Sequence, residues 1–167
     1  KKRSIQYIKM DVLMDLGGSP TYLNNALVVA GNFSDSEIIP VTPIWTSNWL
    51  KDELLHYGIE HVDTAYYYNV NNQQSTSFIS TVWDAGVGII NYRGWGDANG
   101  WKYPEFFKQD IDPGLHNGWY LPVVMSFVCN TGDFGNDLSG PGLDKCFGET
   151  LTTGGSINYP KGAAAMI

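Results

Sequence analysis

Charge is scarce in this chain. Only 16% of the 167 residues are charged, against about 25% in an average soluble domain. The 10 basic side chains are outnumbered by 17 acidic ones, for a net charge of -7. That sign argues against a nucleic-acid or anionic-membrane partner, both of which call for a basic face. No apolar run approaches the roughly 18 residues needed to cross a bilayer. Two cysteines, Cys129 and Cys146, are too few for a disulfide framework. A single bridge between them would add about 3 kcal/mol, and that alternative stays open. The phosphate-cradling patterns Gly-x-Gly-x-x-Gly and Gly-x-x-x-x-Gly-Lys-Ser/Thr are missing, so no nucleotide cofactor is expected. Asp133, Asp137, Asp144 and Glu149 lack the spacing of a calcium loop and read as a solvated acidic face, with no metal expected. Histidine is confined to His56, His61 and His116, none of them beside a cysteine in sequence.

Apolar and aromatic residues are plentiful, at 43% and 14%. A chain of this length folds as one domain burying roughly 70% of its unfolded surface. The division expected is a leading helix within 1–18 and a core over 19–167. The chain opens on Lys1-Lys2-Arg3 and closes on the apolar run Gly162 to Ile167. Termini are usually polar and exposed, so the chain reads as a piece of a longer one, with its last residues forming an interrupted strand. Low lysine with many Asn, Gly, Ser, Thr and aromatic residues has an extracellular flavour. The triplet Asn32-Phe33-Ser34 recurs too readily by chance to decide anything.

Ile5, Ile8, Val12, Leu13 and Leu16 are spaced for a helix over 4–16, stopped by Gly17-Gly18-Ser19-Pro20. Asn25 to Ala30 is a continuous apolar run, as in a strand covered on both faces. Thr42-Pro43 opens a helix that continues through Trp45, Trp49 and Leu54 and closes at Gly58. His61 to Tyr68 is β-like. Ser75 to Asp84 carries Phe78, Ile79, Val82 and Trp83 on one helical stripe, with Gly86 as its cap. Val87 to Tyr92 and Leu121 to Val128 are further buried strands, separated by a glycine- and aromatic-rich loop with a short helix expected over Pro104 to Gln109. A last helix is expected over Asp144 to Leu151. Strands alternating with helices make this an α/β layered domain with a mainly parallel sheet. In such sheets ligands bind beyond the carboxyl ends of the strands, which here are Gly94-Trp95-Gly96-Asp97 and Cys129-Asn130-Thr131-Gly132-Asp133.

Cys129 follows a buried strand and precedes a turn composition, which is a plausible address for a nucleophile. Equally, unpaired cysteines are often small buried hydrophobes. The loop from Asn91 to Trp101 is glycine-dense, so its backbone can approach a ligand closely and offer N–H groups to an oxyanion. His56, His61 and His116 read as structural or surface residues.

Gly88-Ile-Ile-Asn-Tyr-Arg-Gly-Trp-Gly-Asp97, with Trp101 shortly after, resembles the strand and loop that carry the catalytic histidine in gingipain-type cysteine peptidases. Val124-Met-Ser-Phe-Val-Cys-Asn-Thr-Gly-Asp-Phe134, followed by Cys146-Phe-Gly-Glu149, resembles the segment that carries their nucleophile. The resemblance runs in outline over residues 20 to 167 and is specific in these two motifs. It implies a caspase-like fold, a nucleophilic Cys129, an oxyanion hole built from the N–H groups of Gly96 and Cys129, and structural roles for Cys146 and Glu149. It also implies a peptide or protein substrate contacted by Trp101 and Asp97, no cofactor, further domains in a longer chain, and an extracellular or cell-surface location reached by type IX secretion. One position departs from the pattern: where the family has histidine as general base, this chain has Trp95. An indole N–H donates but offers no basic lone pair, and losing a positioned base typically costs about 10²–10⁴-fold in rate. The expected activity is hydrolysis through a Cys129 thioester, slow, or with a base recruited from elsewhere such as His116. The alternative is an inactive pseudopeptidase that binds peptides, with Trp95 and Trp101 as an aromatic contact platform. A carbohydrate-binding reading rests on Trp and Tyr content alone.

Overall fold

The computed structural model describes residues 20–31, 42–135 and 145–167. The helix expected over 4–16, the Asn32 triplet, Asp137 and Asp144 lie outside the described residues. A 3-10 turn, Thr21–Asn24, leads into β1, Asn25–Gly31. Six of the seven residues of β1 are buried, because the strand lies inside the sheet with apolar layers on both faces. Helix α1, Thr42–His56, opens on the Thr-Pro pair, where a missing proline N–H costs nothing. It is closed by Gly58, whose φ of +102° is open to glycine at no steric cost. Then follow β2, His61–Asn69, and the two-residue β3, Asn72–Gln73. Helix α2, Thr76–Ala85, is capped by Ser75, whose hydroxyl accepts the Phe78 N–H at 3.2 Å. Strand β4 is Ile89–Arg93 and β8 is Val123–Phe127.

The main sheet has the order β3-β2-β1-β4-β8-β9, with β9 being Ala165–Met166. Every pairing in it is parallel except the β2–β3 hairpin. The terminal apolar run is therefore a short strand against β8, as its composition predicts. Alternate residues along β1 face opposite layers, as a pleated strand requires. Ala26, Val28 and Ala30 pack with Ile44 of α1 and with Val62 and Tyr66 of β2. Leu27 and Val29 join the larger core with Ile79, Val82 and Trp83 of α2. The result is a three-layer α/β sandwich. The chain steps from β1 to β2 on one side, then returns to β4 on the other. Such a reversal opens a crevice at the carboxyl ends of the strands.

Two sequence expectations change. Residues 96 to 107 are not a loop ending in a helix but a small antiparallel sheet: β5, Gly96–Asp97; β6, Gly100–Lys102; β7, Glu105–Phe107. The helix placed over Pro104 to Gln109 shrinks to α3, Lys108–Ile111. The reason is tertiary, since Trp101 and Phe106 pair across β6 and β7 and are both driven wholly into the core. The second change is on β8, expected as a buried strand: Val124 and Ser126 are buried, Val123 and Met125 are partly covered and Phe127 is exposed, because β9 beside it is only two residues long. Helix α1 forms as expected. Trp45 and Trp49 are 70% and 56% exposed, while Ile44 and Ser47 are buried. The last helix, α4, is Phe147–Thr153, close to the expected span.

Candidate active site

Strands β4 and β8 are neighbours in register, Arg93 opposite Phe127. They leave the sheet side by side, so two motifs more than thirty residues apart in sequence reach one edge. After β8 the chain bends at once: the Val128 N–H donates to the Ser126 carbonyl at 3.0 Å. Cys129 emerges exposed as a free thiol. Asn130 follows at φ 58°, the single non-glycine residue with positive φ among the described residues. Asparagine tolerates this left-handed geometry better than most side chains, and it reverses the chain so that the Asp133 N–H reaches the Asn130 carbonyl at 3.3 Å.

After β4 the chain passes through Gly94 and Trp95 into β5. Gly96 is packed too tightly for any side chain. A Cβ there would stand 2.5 Å from the Gly100 carbonyl oxygen and 3.2 Å from a methyl of Val128. Gly96 is therefore held against the residue that precedes Cys129.

A hydrogen-bonded strut fixes the two loops to each other. The Trp101 indole N–H donates to Ser126 Oγ at 3.0 Å, and Ser126 Oγ lies 3.1 Å from Thr131 Oγ1. The start of α4 adds two ties, with the Phe147 N–H on the Ala98 carbonyl and the Gly148 N–H on the Thr131 carbonyl, both at 2.8 Å. Glu149 accepts the Cys146 N–H at 2.9 Å. Cys146 is wholly buried, and burial pushes its thiol pKa up. The two cysteines are both free, one exposed and one buried, so the bridge left open by the sequence is not formed.

Trp95 is 49% exposed and Trp101 0%. Trp101 stacks on Tyr92 with centroids 4.4 Å apart and contacts Trp83, Phe106 and Phe147. The surface platform expected of both tryptophans is thus available to Trp95 alone, because Trp101 is needed to fill the core beneath the site. Asp97, expected at the substrate, is engaged by its own hairpin. Its carboxylate accepts the Asn99 N–H at 2.8 Å and pairs with Lys102 at 3.1 Å. Exposed aromatics flank Cys129 in sequence, namely Phe127 at 51% and Phe134 at 62%.

The histidines lie at the far end of the sheet. His61 opens β2 opposite Asn25, the first residue of β1. His56 ends α1, which runs back from the carboxyl edge toward that same amino edge. His116 is held by Asp84, at the end of α2 and just ahead of β4. Its N–H donates to Asp84 Oδ1 at 2.7 Å and its Nδ1 lies 3.7 Å from Oδ2. Cys129 follows the opposite end of β8, a strand of five residues, or roughly 16 Å at about 3.3 Å per residue. None of the chain's three imidazoles is therefore in reach of the thiol, and His116 is not a recruited base in this arrangement. Tyr92, Ser126 and Thr131 have no signal in the sequence. They matter through partners met only in the fold, Tyr92 through the Trp101 ring and Ser126 through the Trp101 indole and Thr131.

Residues 3–167 match the family described as Peptidase family C25. The chain belongs to that cysteine peptidase family. No curated protein sequence matches it. Among solved structures, the Arg-specific cysteine proteinase gingipain R superposes with a TM-score of 0.73 at 23% identity, over 89% of this chain and 32% of that one. The complex of Porphyromonas gingivalis RgpB pro- and mature domains gives 0.73 at 24%, over 89% and 33%. A third, described as a protease, gives 0.61 at 20%, over 89% and 29%. The fold is accordingly that of the gingipains, caspase-like with a mainly parallel sheet, and the chain spans about a third of the length of the structures it matches.

Proposed function

We propose that this C25 domain attacks peptide carbonyls through Cys129, slowly, because no imidazole stands beside the thiol. The observation that carries the reading is the exposed thiol itself, just beyond the carboxyl end of β8, between a left-handed Asn130 and a Val128 that packs against Gly96. The sulfur adds to the carbonyl carbon, and the oxyanion is held by the N–H groups of Gly96 and Cys129. The amine leaves with a proton, and water then cleaves the thioester to free the acid and the thiol. Thiols survive the loss of a base better than hydroxyls do, being strongly nucleophilic once ionised. Trp95, Phe127 and Phe134 offer exposed aromatic area to the peptide. The family resemblance supports an extracellular or cell-surface setting reached by type IX secretion, within a longer chain.

A second reading is favoured by the same geometry. With Trp95 in place of a base and every histidine at the opposite sheet edge, the domain is a pseudopeptidase that binds peptides without cutting them. A peptidyl chloromethyl ketone separates the two. Activated capture at Cys129, faster than that of a thiol in the unfolded chain and abolished in Cys129→Ala, supports the peptidase. Labelling no faster than the unfolded control, together with peptide binding, supports the pseudopeptidase.

A further inference from the structure

Tyr92 is wholly buried on β4, one strand residue and one glycine short of Trp95. Its hydroxyl donates to the Trp95 carbonyl at 2.6 Å and stands 3.2 Å from the Tyr103 carbonyl. Its ring lies flat on Trp101, 9° from parallel, and Trp101 is itself tied to Ser126. Burial raises the phenol's pKa well beyond its ordinary value, so it is a permanent donor at any physiological pH. Gly94 leaves room for it, since a Cβ there would stand 2.6 Å from the Tyr92 oxygen.

The Trp95 carbonyl also accepts the Lys102 N–H of β6 at 2.9 Å. In a trans peptide the carbonyl and the following N–H point in opposite directions, and the Trp95–Gly96 bond is not among the cis bonds of the described residues. A carbonyl held toward Tyr92 and β6 therefore turns the Gly96 N–H away from both, off the outer edge of β5, the terminal strand of the small sheet. Val128, the residue before Cys129, packs close to the same glycine, its nearest methyl 3.2 Å from where a Gly96 Cβ would stand.

We infer that Tyr92 is a positioning residue that aims the Gly96 N–H at the oxyanion formed when Cys129 adds to a carbonyl. The inference rests on the peptidase reading for its chemistry, but the hydrogen bond itself does not depend on it. The substitution is Tyr92→Phe in the full chain, which keeps the stacked ring and removes the hydroxyl. A peptide aldehyde, which generates an oxyanion on adding to the thiol, should bind at least tenfold more weakly than to the unsubstituted protein. Alkylation of Cys129 by iodoacetamide, a displacement at carbon that forms no oxyanion, should keep its rate. In NMR spectra the amide nitrogen of Gly96, which belongs to the released peptide group, should shift with that of Lys102, while Leu27 in the sheet centre stays put. Equal aldehyde affinity, or equal loss in both reactions, overturns the inference. An unmoved Gly96 resonance does so as well. If Tyr92→Phe does not fold, the unsubstituted protein still decides, because the Tyr92 hydroxyl proton must appear as a slowly exchanging resonance and its absence refutes the bond. Should the unsubstituted protein take no aldehyde at all, the peptidase reading fails while the Gly96 shift still judges Tyr92.

Discussion

Replacing Trp95 with histidine puts an imidazole on a backbone that is already pinned. The carbonyl of residue 95 is fixed by Tyr92 at 2.6 Å and Lys102 at 2.9 Å, and the glycines on both sides are packed too closely to drift. The side chain is 49% exposed. Trimming half-buried indole to imidazole removes on the order of 40 Å² of buried apolar area, or about 1 kcal/mol of stability. Against that, a positioned base contributes about 10²–10⁴-fold in rate, equivalent to roughly 3–5 kcal/mol of barrier. The chemical gain outweighs the folding loss, so Trp95→His should cleave peptides at least a hundredfold faster than the unsubstituted protein in single-turnover assays. The pH dependence carries a sign. Only the neutral imidazole accepts the thiol proton, so the added rate should be missing below the ordinary histidine pKa of about 6.5 and reach a plateau above it. Trp95→Gln is the control, since it trims the indole without supplying a base. If the histidine and glutamine variants cleave alike across pH 5 to 8, the scaffold lacks more than its base and the argument from Cys129 is refuted.

Alkylation followed by peptide mapping should modify Cys129 readily in the native chain and leave Cys146 untouched until denaturant is added, because Cys146 is buried with its thiol pKa raised. Equal labelling would contradict that placement. Gly96→Ala should cost about 1–3 kcal/mol through overpacking in chemical denaturation, since its Cβ would stand 2.5 Å from the Gly100 carbonyl oxygen, and should slow peptidyl capture of Cys129. Trp101→Ala should cost about 3–5 kcal/mol, the expected loss for a fully buried aromatic that also donates to Ser126. A cost near zero would mean that the ring is not core. Asp97→Asn should change stability by less than about 1 kcal/mol, because the carboxylate and Lys102 are both about 40% exposed. A loss of several kcal/mol would give the pair a larger structural role.

The apolar runs at 25–30 and 87–92 read as buried strands because a strand covered on both faces needs no polar alternation. The run at 121–128 also holds a strand, but only the Val124 and Ser126 face of β8 is buried. The helix over 76–85 was readable from its four-residue stripe and its Ser75 and Gly86 ends. Residues 104 to 109 were misread because a short apolar run fits a helix or a strand equally well until its partners are known. Here Phe106 pairs with Trp101. Helix α1 shows a related limit, with Trp45 and Trp49 exposed. Helical spacing identifies a stripe, but only packing decides which stripe faces inward, and Ile44 and Ser47 took that place.

By itself the sequence determined the layered α/β class, the two motifs at strand ends, and the fact that the Trp95 indole offers no basic lone pair. Those follow from local composition and from the intrinsic chemistry of single side chains. Only the tertiary structure decided that Arg93 and Phe127 share a register, which brings Trp95, Gly96 and Cys129 to one edge. It likewise decided that His56, His61 and His116 belong to the other edge, that Trp101 is core rather than contact surface, and that Tyr92 holds the Trp95 carbonyl. Apart from the Tyr92–Trp95 bond, which spans three positions, each of these is a relation between residues far apart in the chain. Periodicity carries no information about such relations, because strand order and register are set by which apolar faces bury each other.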